Sequence, residues 1–217
     1  MKVRPGVYPD GESLMNDAPT LQLEKVAEAD FPTEFGFFRI YGFRAVLEDG
    51  RAEEGVALRM GDIVSGEPPL VRIHSQCLTG DVFHSLRCDC RAQLEIALES
   101  IAADGRGLLI YENQEGRGIG LLNKLRAYEL QDRGADTIEA NEQLGFDSDL
   151  RSYGLPGAIL RFFGLKAVRL LSNNPEKVRA VEDAGIVVTE RVPCIADAID
   201  TRQAYLRTKK EKMGHLL

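Results

Sequence analysis

Residues 92–120 read AQLEIALESIAADGRGLLIYENQEGRGIG, and this stretch decides the fold class. Its first part, residues 92–103, places leucine and isoleucine at helical spacing and stops before two glycines, which predicts an amphipathic helix. The apolar run GLLIY, residues 107–111, predicts a short buried strand. A helix that leads into a buried strand, with further helices and strands after it, indicates an α/β organisation.

The same alternation continues toward the C-terminus. We predict helices over 119–131, 155–163 and 175–185, the last capped by Asn174, and strands over 167–171 and 186–189. On the N-terminal side we predict strands over 36–47, with a possible break at Gly42, over 56–60 and over 70–74. We therefore expect one α/β (α+β) domain with a mixed sheet, a β-rich and antiparallel N-terminal part, and helices packed around it.

The amino-acid composition limits the classes of protein to which this chain can belong. The chain has 217 residues, of which 44% are hydrophobic and 28% charged, as in soluble proteins with a core. A net charge of −7 argues against a binder of nucleic acid polymers. We find no apolar run of about 18 residues and no secretory signal, so we expect a cytoplasmic protein without a membrane segment. Residues 1–20 are predicted to be a flexible tail before a domain over 21–217, whose last residues, 201–217, are expected to be helical and then frayed.

Three of the four cysteines lie close together in HSQCLTGDVFHSLRCDC, residues 74–90: they are Cys77, Cys88 and Cys90. Thiolates at this spacing favour zinc over an iron–sulfur cluster, with three reduced cysteines and no metal as the plain alternative. A structural zinc site closes with four protein ligands, whereas a catalytic one leaves a corner for water. Spacing does not separate the two, because His74 or His84 can supply a fourth ligand. Cys194 is interpreted as a small packed hydrophobic residue.

Three further segments combine glycine, charge and hydroxyl groups. QEGRGIG, residues 114–120, follows the strand GLLIY and suits an anion, although such a turn is more often only a turn. It fits neither the Walker A motif nor G-x-G-x-x-G. Asp149 and Arg151 are either a surface ion pair of little value or a pair held over a substrate. Ser172 and Lys177, in LLSNNPEKV, can hydrogen-bond a base or a phosphate.

Taken together, these segments resemble one family. HSQCLTGDVFHSLRCDC, YENQEGRGIGLLNKLRAYELQDRGADTIEANEQLGF, LLSNNPEKV and EKMGHLL are similar to the motifs of GTP cyclohydrolase II, in its stand-alone form. The resemblance runs from about residue 21 to residue 217. It implies hydrolysis of GTP to formate, pyrophosphate and 2,5-diamino-6-(5-phospho-ribosylamino)pyrimidin-4(3H)-one, the first step of riboflavin biosynthesis, by a homodimer.

The resemblance also implies roles for residues. Cys77, Cys88 and Cys90 match the zinc ligands, with one zinc per chain, and Mg²⁺ is expected with the triphosphate. Tyr128 matches an active-site tyrosine for ring opening. Asp149 and Arg151 match the proposed acid–base residue and nucleophile at the α-phosphate. A guanidinium with a pKa above about 12 is an awkward nucleophile, and stabilising the charge of the departing pyrophosphate is a simpler role.

The remaining matched positions are GTP contacts. They are Arg72, Ile73, His74, Ser75, Gln76, Gln93, Glu115, Gly116, Arg117, Thr137, Ser172 and Lys177. Glu115 is expected to accept hydrogen bonds from guanine, and Arg117 to bind the triphosphate. Gln76 stands where many members have glutamate, and Ser172 replaces a threonine. Glu112 and Asn113 also depart from the pattern, and an added carboxylate weakens triphosphate binding unless it points away.

Two alternatives stay open at this point. One is a variant that stops at the formamidopyrimidine product. The other is a non-catalytic relative that binds guanine nucleotides and holds a structural zinc. The presence of Tyr128, Asp149 and Arg151 beside three cysteines argues against the second alternative.

Overall fold

The structure is a computed structural model that describes residues 21–46, 50, 52–147, 149–196, 209–210, 214 and 216. The described strands are β1 Gln22–Thr33, β2 Gly36–Val46, β3 Ala52–Met60, β4 Leu70–Ser75, β5 Gly107–Glu112, β6 Ala167–Leu171 and β7 Val187–Val192. The described helices are α1 Leu78–Asp81, α2 Cys90–Asp104, α3 Leu121–Asp132, α4 Thr137–Gln143, α5 Gly154–Phe162 and α6 Pro175–Asp183, with a 3-10 turn at Glu115–Gly118. The tail over 1–20, His215 and most of the predicted C-terminal helix lie outside the described residues.

All seven strands join one mixed sheet in the order β1-β2-β3-β5-β4-β6-β7. Strands β1, β2 and β3 pair antiparallel, and β3 is also antiparallel to β5. From β5 through β4 and β6 to β7 the pairing is parallel. The predicted α/β class with a mixed sheet and a β-rich N-terminal part is confirmed.

The predicted antiparallel arrangement is wrong for β4. This strand pairs parallel with β5 and with β6, because α2 lies between β4 and β5 in the chain and carries it back to the same end of the sheet. Adjacent parallel strands need a crossover connection, usually through a helix, whereas consecutive antiparallel strands can be joined by a tight hairpin. The hairpin of β1 and β2 follows this rule, with Thr33 opposite Gly36.

Other differences concern elements that the sequence pattern hides. β2 runs unbroken through Gly42, which pairs with Val56. β1 was not predicted as a strand, since its mostly exposed residues show no apolar alternation. α4 was also missed, although Asp136 and Glu139 form a capping box at its start. Most other element ends lie within two residues of the predicted ends.

The sheet is covered on both faces. One face packs against α5 and α6, and its core includes Ile110 and Ile159. The other face packs against α2, where Leu109 and Ile101 are buried. Burial on both faces explains why residues 108–111 of β5 are apolar without alternation. Among the described residues, no helix combines the length and apolarity needed to cross a membrane.

Ile110, which is fully buried in the central strand β5, tests this core. We expect Ile110→Ala to lower the free energy of unfolding by about 2–5 kcal/mol, and Ile110→Val by about 0.5–1.5 kcal/mol. Urea denaturation followed by circular dichroism measures both. Leu122→Ala, at a side chain that is 74% exposed on α3, is the control, with an expected change within about 0.5 kcal/mol. Equal losses of unfolding free energy for Ile110→Ala and Leu122→Ala would contradict the described core.

Candidate active site

A pocket opens where β4, β5 and β6 end. From β4 the chain passes to β5 on one side and then to β6 on the other, and ligands of open α/β sheets bind at such a reversal, outside the carboxyl ends of the strands. The pocket brings together most of the residues expected from the sequence. They are Arg72, His74, Ser75, Gln76, Cys77, Cys88, Cys90, Gln93, Glu115, Gly116, Arg117, Tyr128, Thr137, Arg151, Ser172 and Lys177.

The three clustered cysteines meet at one end of this pocket. Cys77 follows β4, and Cys90 is the first residue of α2. The Sγ atoms of Cys77 and Cys88 are 3.7 Å apart, and the three sulfurs lie within 4.8 Å of one another. Tetrahedral zinc with Zn–S bonds of about 2.3 Å places two sulfurs about 3.8 Å apart. The spacing of the sulfurs therefore fits zinc.

Gly80 leaves the room that the sulfurs need. A Cβ atom on this residue would lie 2.9 Å from Cys88 Sγ and 3.1 Å from Cys77 Sγ. Gly80 belongs to the short helix α1, which begins directly after Cys77. Any side chain here would push into the sulfur cluster, so glycine is required by the close approach.

Neither candidate histidine belongs to the group of possible metal ligands that the three cysteines form. His74 Nε2 lies 3.2 Å from each carboxylate oxygen of Asp81, and His84 Nε2 lies 2.6 Å from Arg91 Nη1. Cys194 is buried elsewhere, and its Sγ lies 3.5 Å from the carbonyl oxygen of Gln93. Within the described part of the chain, the group offers three cysteine ligands and no fourth.

Asp81 fixes the loop that carries Cys77. Its buried carboxylate accepts hydrogen bonds from the Cys77 backbone N–H at 3.0 Å and from the Tyr111 hydroxyl at 2.9 Å. The His74 ring, stacked on Tyr111, contacts the same carboxylate. Burial lowers the pKa of His74, although Asp81 opposes the shift. His74 therefore acts here as a neutral support for the cysteine loop.

The cluster concentrates negative charge on Cys77. Hydrogen bonds from Cys88 and Cys90, with the nearby Lys124 ammonium, hold the pKa of the Cys77 thiol well below its ordinary value. The same hydrogen bond with Cys77 raises the pKa of Cys88 to about 11. Lys124 Nζ lies 3.1 Å from Cys77 Sγ and 2.7 Å from Glu115 Oε1. Lys124 was not predicted, but it lies one helical turn before Tyr128 on the same face of α3.

Tyr128 lies beside the cysteine loop. Its hydroxyl is 3.2 Å from Thr79 Oγ1, and Thr79 Oγ1 is 3.7 Å from Cys77 Sγ. The Arg87 guanidinium lies over the Tyr128 ring, 4.7 Å from its centroid. Burial raises the pKa of Tyr128, so its hydroxyl stays protonated and can donate a hydrogen bond.

The glycine-rich turn after β5 ties the two halves of the site together. Glu115 Oε2 accepts the Leu78 backbone N–H at 2.6 Å, next to Cys77. The Arg117 carbonyl accepts the Leu150 N–H at 3.0 Å. Arg117 has a φ of 62°, a left-handed conformation that costs a non-glycine residue about 1–2 kcal/mol. Among the described residues, Arg117 Nη1 has no hydrogen-bond partner, although it is buried.

The second half of the site is cationic. Arg151 makes a forked ion pair with Asp149, whose two oxygens lie 2.9 and 3.1 Å from Arg151 Nε. Burial raises the pKa of Asp149, but the hydrogen bonds from Arg151 outweigh burial and the net shift is downward. Burial opposes the rise at Arg151, whose pKa is nevertheless raised by Asp149. The guanidinium is therefore firmly protonated.

Ser75 lies between the cations and an unexpected carboxylate. Its Oγ accepts hydrogen bonds from Lys177 Nζ at 3.1 Å and Arg151 Nη1 at 3.4 Å. The same hydroxyl donates to Glu112 Oε1 at 2.6 Å. Glu112 is fully buried and does not point away from the cations, since Lys177 Nζ is 4.0 Å from its Oε1. Burial lowers the pKa of Lys177 to about 7.

Two of the expected residues do not line the pocket. The Ile73 side chain belongs to the core, and its carbonyl oxygen accepts a hydrogen bond from Lys177. Asp149 reaches the pocket only through Arg151. Arg72 and Gln93 line it but bond to each other at 2.7 Å. The pocket also includes residues that sequence reasoning missed, among them Arg87, Gln114, Lys124, Asn141, Asn173, Asn174 and Lys209.

Replacing Gly80 tests the metal-binding capacity of the sulfur cluster. We expect Gly80→Ala to lower the metal content of the purified protein at least about tenfold, because the new methyl group displaces two sulfurs. Mass spectrometry of the bound metal measures this. Gly42→Ala is the control, since its Cβ would meet only a backbone oxygen at 4.0 Å. A Gly80→Ala protein with unchanged metal content would contradict the proposed location.

Comparison with known proteins identifies the family of this chain. The profile of the GTP cyclohydrolase II family matches residues 24–193. The chain is 56% identical to GTP cyclohydrolase-2 of Azotobacter vinelandii over 192 residues, which cover 88% of this chain and 91% of that protein. It is 54% identical to GTP cyclohydrolase-2 of Yersinia pseudotuberculosis, over 91% of this chain and 99% of that protein.

Longer proteins also match. The chain is 53% identical to the riboflavin biosynthesis protein RibBA of Bacillus subtilis, over 91% of this chain but 49% of that protein. Among solved structures, RibBX, a two-domain 3,4-dihydroxy-2-butanone 4-phosphate synthase from A. baumannii, matches 81% of this chain at 21% identity with a TM-score of 0.46. The family profile and the high identity of the shorter relatives over nearly their full length decide the assignment: the chain belongs to the GTP cyclohydrolase II family.

Proposed function

We propose that this protein hydrolyses GTP to 2,5-diamino-6-(5-phospho-ribosylamino)pyrimidin-4(3H)-one, formate and pyrophosphate, the first step of riboflavin biosynthesis. The observation that carries the proposal is one pocket with two chemically different ends. A group of three cysteines, with no fourth protein ligand among the described residues, lies at one end, and Arg151 and Lys177 lie at the other. The reaction needs such a pair of ends, because it breaks bonds in the guanine ring and in the phosphate chain.

At the sulfur end, we propose that Cys77, Cys88 and Cys90 hold one zinc ion per chain. Zinc in such a site supplies a Lewis acid that makes water nucleophilic near neutral pH, here against C8 of guanine. Tyr128 keeps its proton and offers a hydrogen bond to the formamide that ring opening produces, which favours its further hydrolysis to formate. Lys124, bonded to Cys77 and Glu115, holds the loop and the turn at a fixed distance.

Glu115 connects the sulfur end with the guanine ring. Its Oε1 accepts hydrogen bonds from Lys124 Nζ and the Gly116 N–H, and its Oε2 accepts one from the Leu78 N–H. Oε2 therefore retains a lone pair, and we propose that the carboxylate uses it to accept the N1 and 2-amino hydrogens of guanine. We propose further GTP contacts at Arg72, His74, Gln76, Gln93, Gly116, Thr137 and Ser172. Ile73 supports the site only through its carbonyl, which accepts a hydrogen bond from Lys177.

At the other end, the cations are arranged for a triphosphate. Arg117 Nη1 is buried without a partner among the described residues, which is a costly state that an anion relieves. Arg151 and Lys177 share Ser75 as a hydrogen-bond partner and therefore face the same point. We propose that Mg²⁺ enters with the triphosphate. Because Arg151 is ion-paired to Asp149, we assign it the stabilisation of negative charge on the departing pyrophosphate.

We propose two further properties of the whole protein. The four described cysteines are free thiols, and a zinc site of three thiols fits a reducing compartment such as the cytoplasm. A homodimer is proposed from the family resemblance, and exposed Val26 and Phe37 on the hairpin of β1 and β2 offer apolar surface for it. Light scattering should then give about twice the 24.0 kDa of the chain.

Two alternatives predict different products. A variant that stops early gives the formamidopyrimidine and pyrophosphate without formate, and a binding protein gives neither product. The protonated Tyr128 hydroxyl beside the cysteine loop favours the complete reaction. Mass spectrometry of the products of GTP, with separate assays of formate and pyrophosphate, distinguishes the three functions.

Cys88→Ser tests the role of the sulfur end. We expect this protein to lose metal and formate release, while pyrophosphate release continues, because the phosphate end does not contain Cys88. Formate assays and metal analysis on the same sample measure both effects. The control is Cys194→Ser, whose sulfur lies outside the cluster and should leave the metal in place. Full formate release from metal-free Cys88→Ser would contradict the proposal.

Arg151→Ala tests the phosphate end. Removing this guanidinium should lower the rate of pyrophosphate release about 10²-fold, with the metal content unchanged, because one preorganised donor to the developing charge is lost. Arg151→Lys keeps the charge but not the fork to Asp149, and should recover only part of the rate. Pyrophosphate release at the original rate from Arg151→Ala would reject this role.

A further inference from the structure

Ser75 has the surroundings of an activated hydroxyl group. It lines the pocket at the end of β4, and its Oγ donates a short hydrogen bond of 2.6 Å to Glu112 Oε1. Two cations, Lys177 at 3.1 Å and Arg151 at 3.4 Å, donate to the same oxygen. A neighbouring base draws the proton away, and the cations stabilise the negative charge that its loss leaves on oxygen.

Glu112 is placed to be that base. The strand register sets it directly opposite Ser75, on the adjacent parallel strand β5. Its carboxylate is fully buried, and its Oε2 has no hydrogen-bond partner among the described residues. Burial raises the pKa of Glu112, which makes the carboxylate a stronger base than one in water. Lys177 Nζ, 4.0 Å from Oε1, orients it.

The residue that the family pattern offers as nucleophile is poorly suited to attack. Arg151 donates from Nε to both oxygens of Asp149, and its pKa is raised by that pair. A guanidinium in this state has no free lone pair on nitrogen. Ser75, 3.4 Å away, offers an oxygen at the same point of the pocket.

We propose that Ser75 Oγ is the nucleophile that attacks the α-phosphorus of the nucleoside triphosphate, with Glu112 as its general base. This inference rests on the proposed function and names the attacking atom in its phosphate-cleaving step. Arg151 and Lys177 stabilise the charge on the phosphate oxygens. The serine–glutamate pair thus forms the catalytic unit of the phosphate end, separate from the sulfur cluster.

The proposed cleavage of the phosphate chain is a double displacement at the α-phosphorus. The Ser75 Oγ–H bond breaks as its proton passes to Glu112 Oε1, and a bond forms between Oγ and the α-phosphorus. The bond from the α-phosphorus to the bridging oxygen breaks, and pyrophosphate leaves with the electron pair. Water then attacks the phosphorus of the serine ester and forms a new phosphorus–oxygen bond. The bond from phosphorus to Ser75 Oγ breaks, Oγ keeps the electron pair and takes the proton back from Glu112 Oε1, and one proton of the water passes to solvent.

Stereochemistry on the unmodified enzyme tests the double displacement. We use a GTP analogue that is chiral at the α-phosphorus through sulfur substitution, with hydrolysis in ¹⁸O-water. Two successive inversions predict retention of configuration at phosphorus. Inversion, which direct attack by water gives, would overturn the inference while leaving the proposed function intact.

The chemistry of the trapped linkage then identifies the attacking residue. Enzyme quenched during turnover of GTP labelled at the α-phosphate should carry the label on the peptide that contains Ser75. A serine ester survives acid, whereas a phosphorus–nitrogen bond to arginine is hydrolysed by acid. Label in an acid-labile linkage on the peptide of Arg151 would overturn the assignment to Ser75.

Variants separate the inference from the proposed function. Ser75→Ala and Glu112→Gln should each slow pyrophosphate release about 10²-fold or more, with the metal retained. Ser152→Ala is the matched control, because it removes another serine–glutamate hydrogen bond, 3.0 Å to Glu53, outside the pocket. Undiminished pyrophosphate release from folded Ser75→Ala would overturn the inference. Failure of the unmodified enzyme to release any pyrophosphate from GTP would instead overturn the proposed function.

Discussion

The parallel pairing of β4 with β5 is the constraint on which the site depends. It sets Ser75 opposite Glu112 and lets the Gln76 N–H bond to the Glu112 carbonyl at 2.9 Å. The cysteine loop therefore leaves the sheet beside the glycine-rich turn, and Glu115 closes the gap by accepting the Leu78 N–H. A slip of one residue would turn every side chain of β4 to the opposite face. Such a slip would turn the buried polar Arg72 and His74 toward the apolar core that now contains Val71 and Ile73, so the register is strongly specified.

Local charge, and not the net charge of the chain, determines what the pocket can bind. The chain carries a net charge of −7, yet Arg117, Arg151 and Lys177 line one end of the pocket. Asp149 accepts hydrogen bonds from Arg151, and the buried carboxylate of Glu112 lies 4.0 Å from Lys177 Nζ. A carboxylate among these cations offsets their mutual repulsion before an anion binds. The departure from the family pattern at position 112 is thus built into the cationic end of the pocket.

The sequence predicted the parts of this structure that depend on neighbours along the chain. The strand over 167–171 was placed to the residue, and Asn174 caps α6 as expected. The cysteine spacing predicted that the three sulfurs meet. Parallel pairing of β4 was missed, because strand direction depends on the crossover through α2. The direction of Glu112 and the role of Asp81 could not be predicted, since both depend on register between strands.

Whether His74 or His84 completes the metal site could also be decided only from the three-dimensional structure. Both histidines lie within the cysteine-containing segment, and only their contacts with Asp81 and Arg91 show that they are engaged elsewhere. We therefore propose a metal held by three sulfurs, with one coordination position left for solvent or substrate. X-ray absorption at the zinc edge of the purified protein tests it most directly. The account predicts three sulfur neighbours and one oxygen neighbour, and a fourth sulfur or an imidazole signal would contradict it.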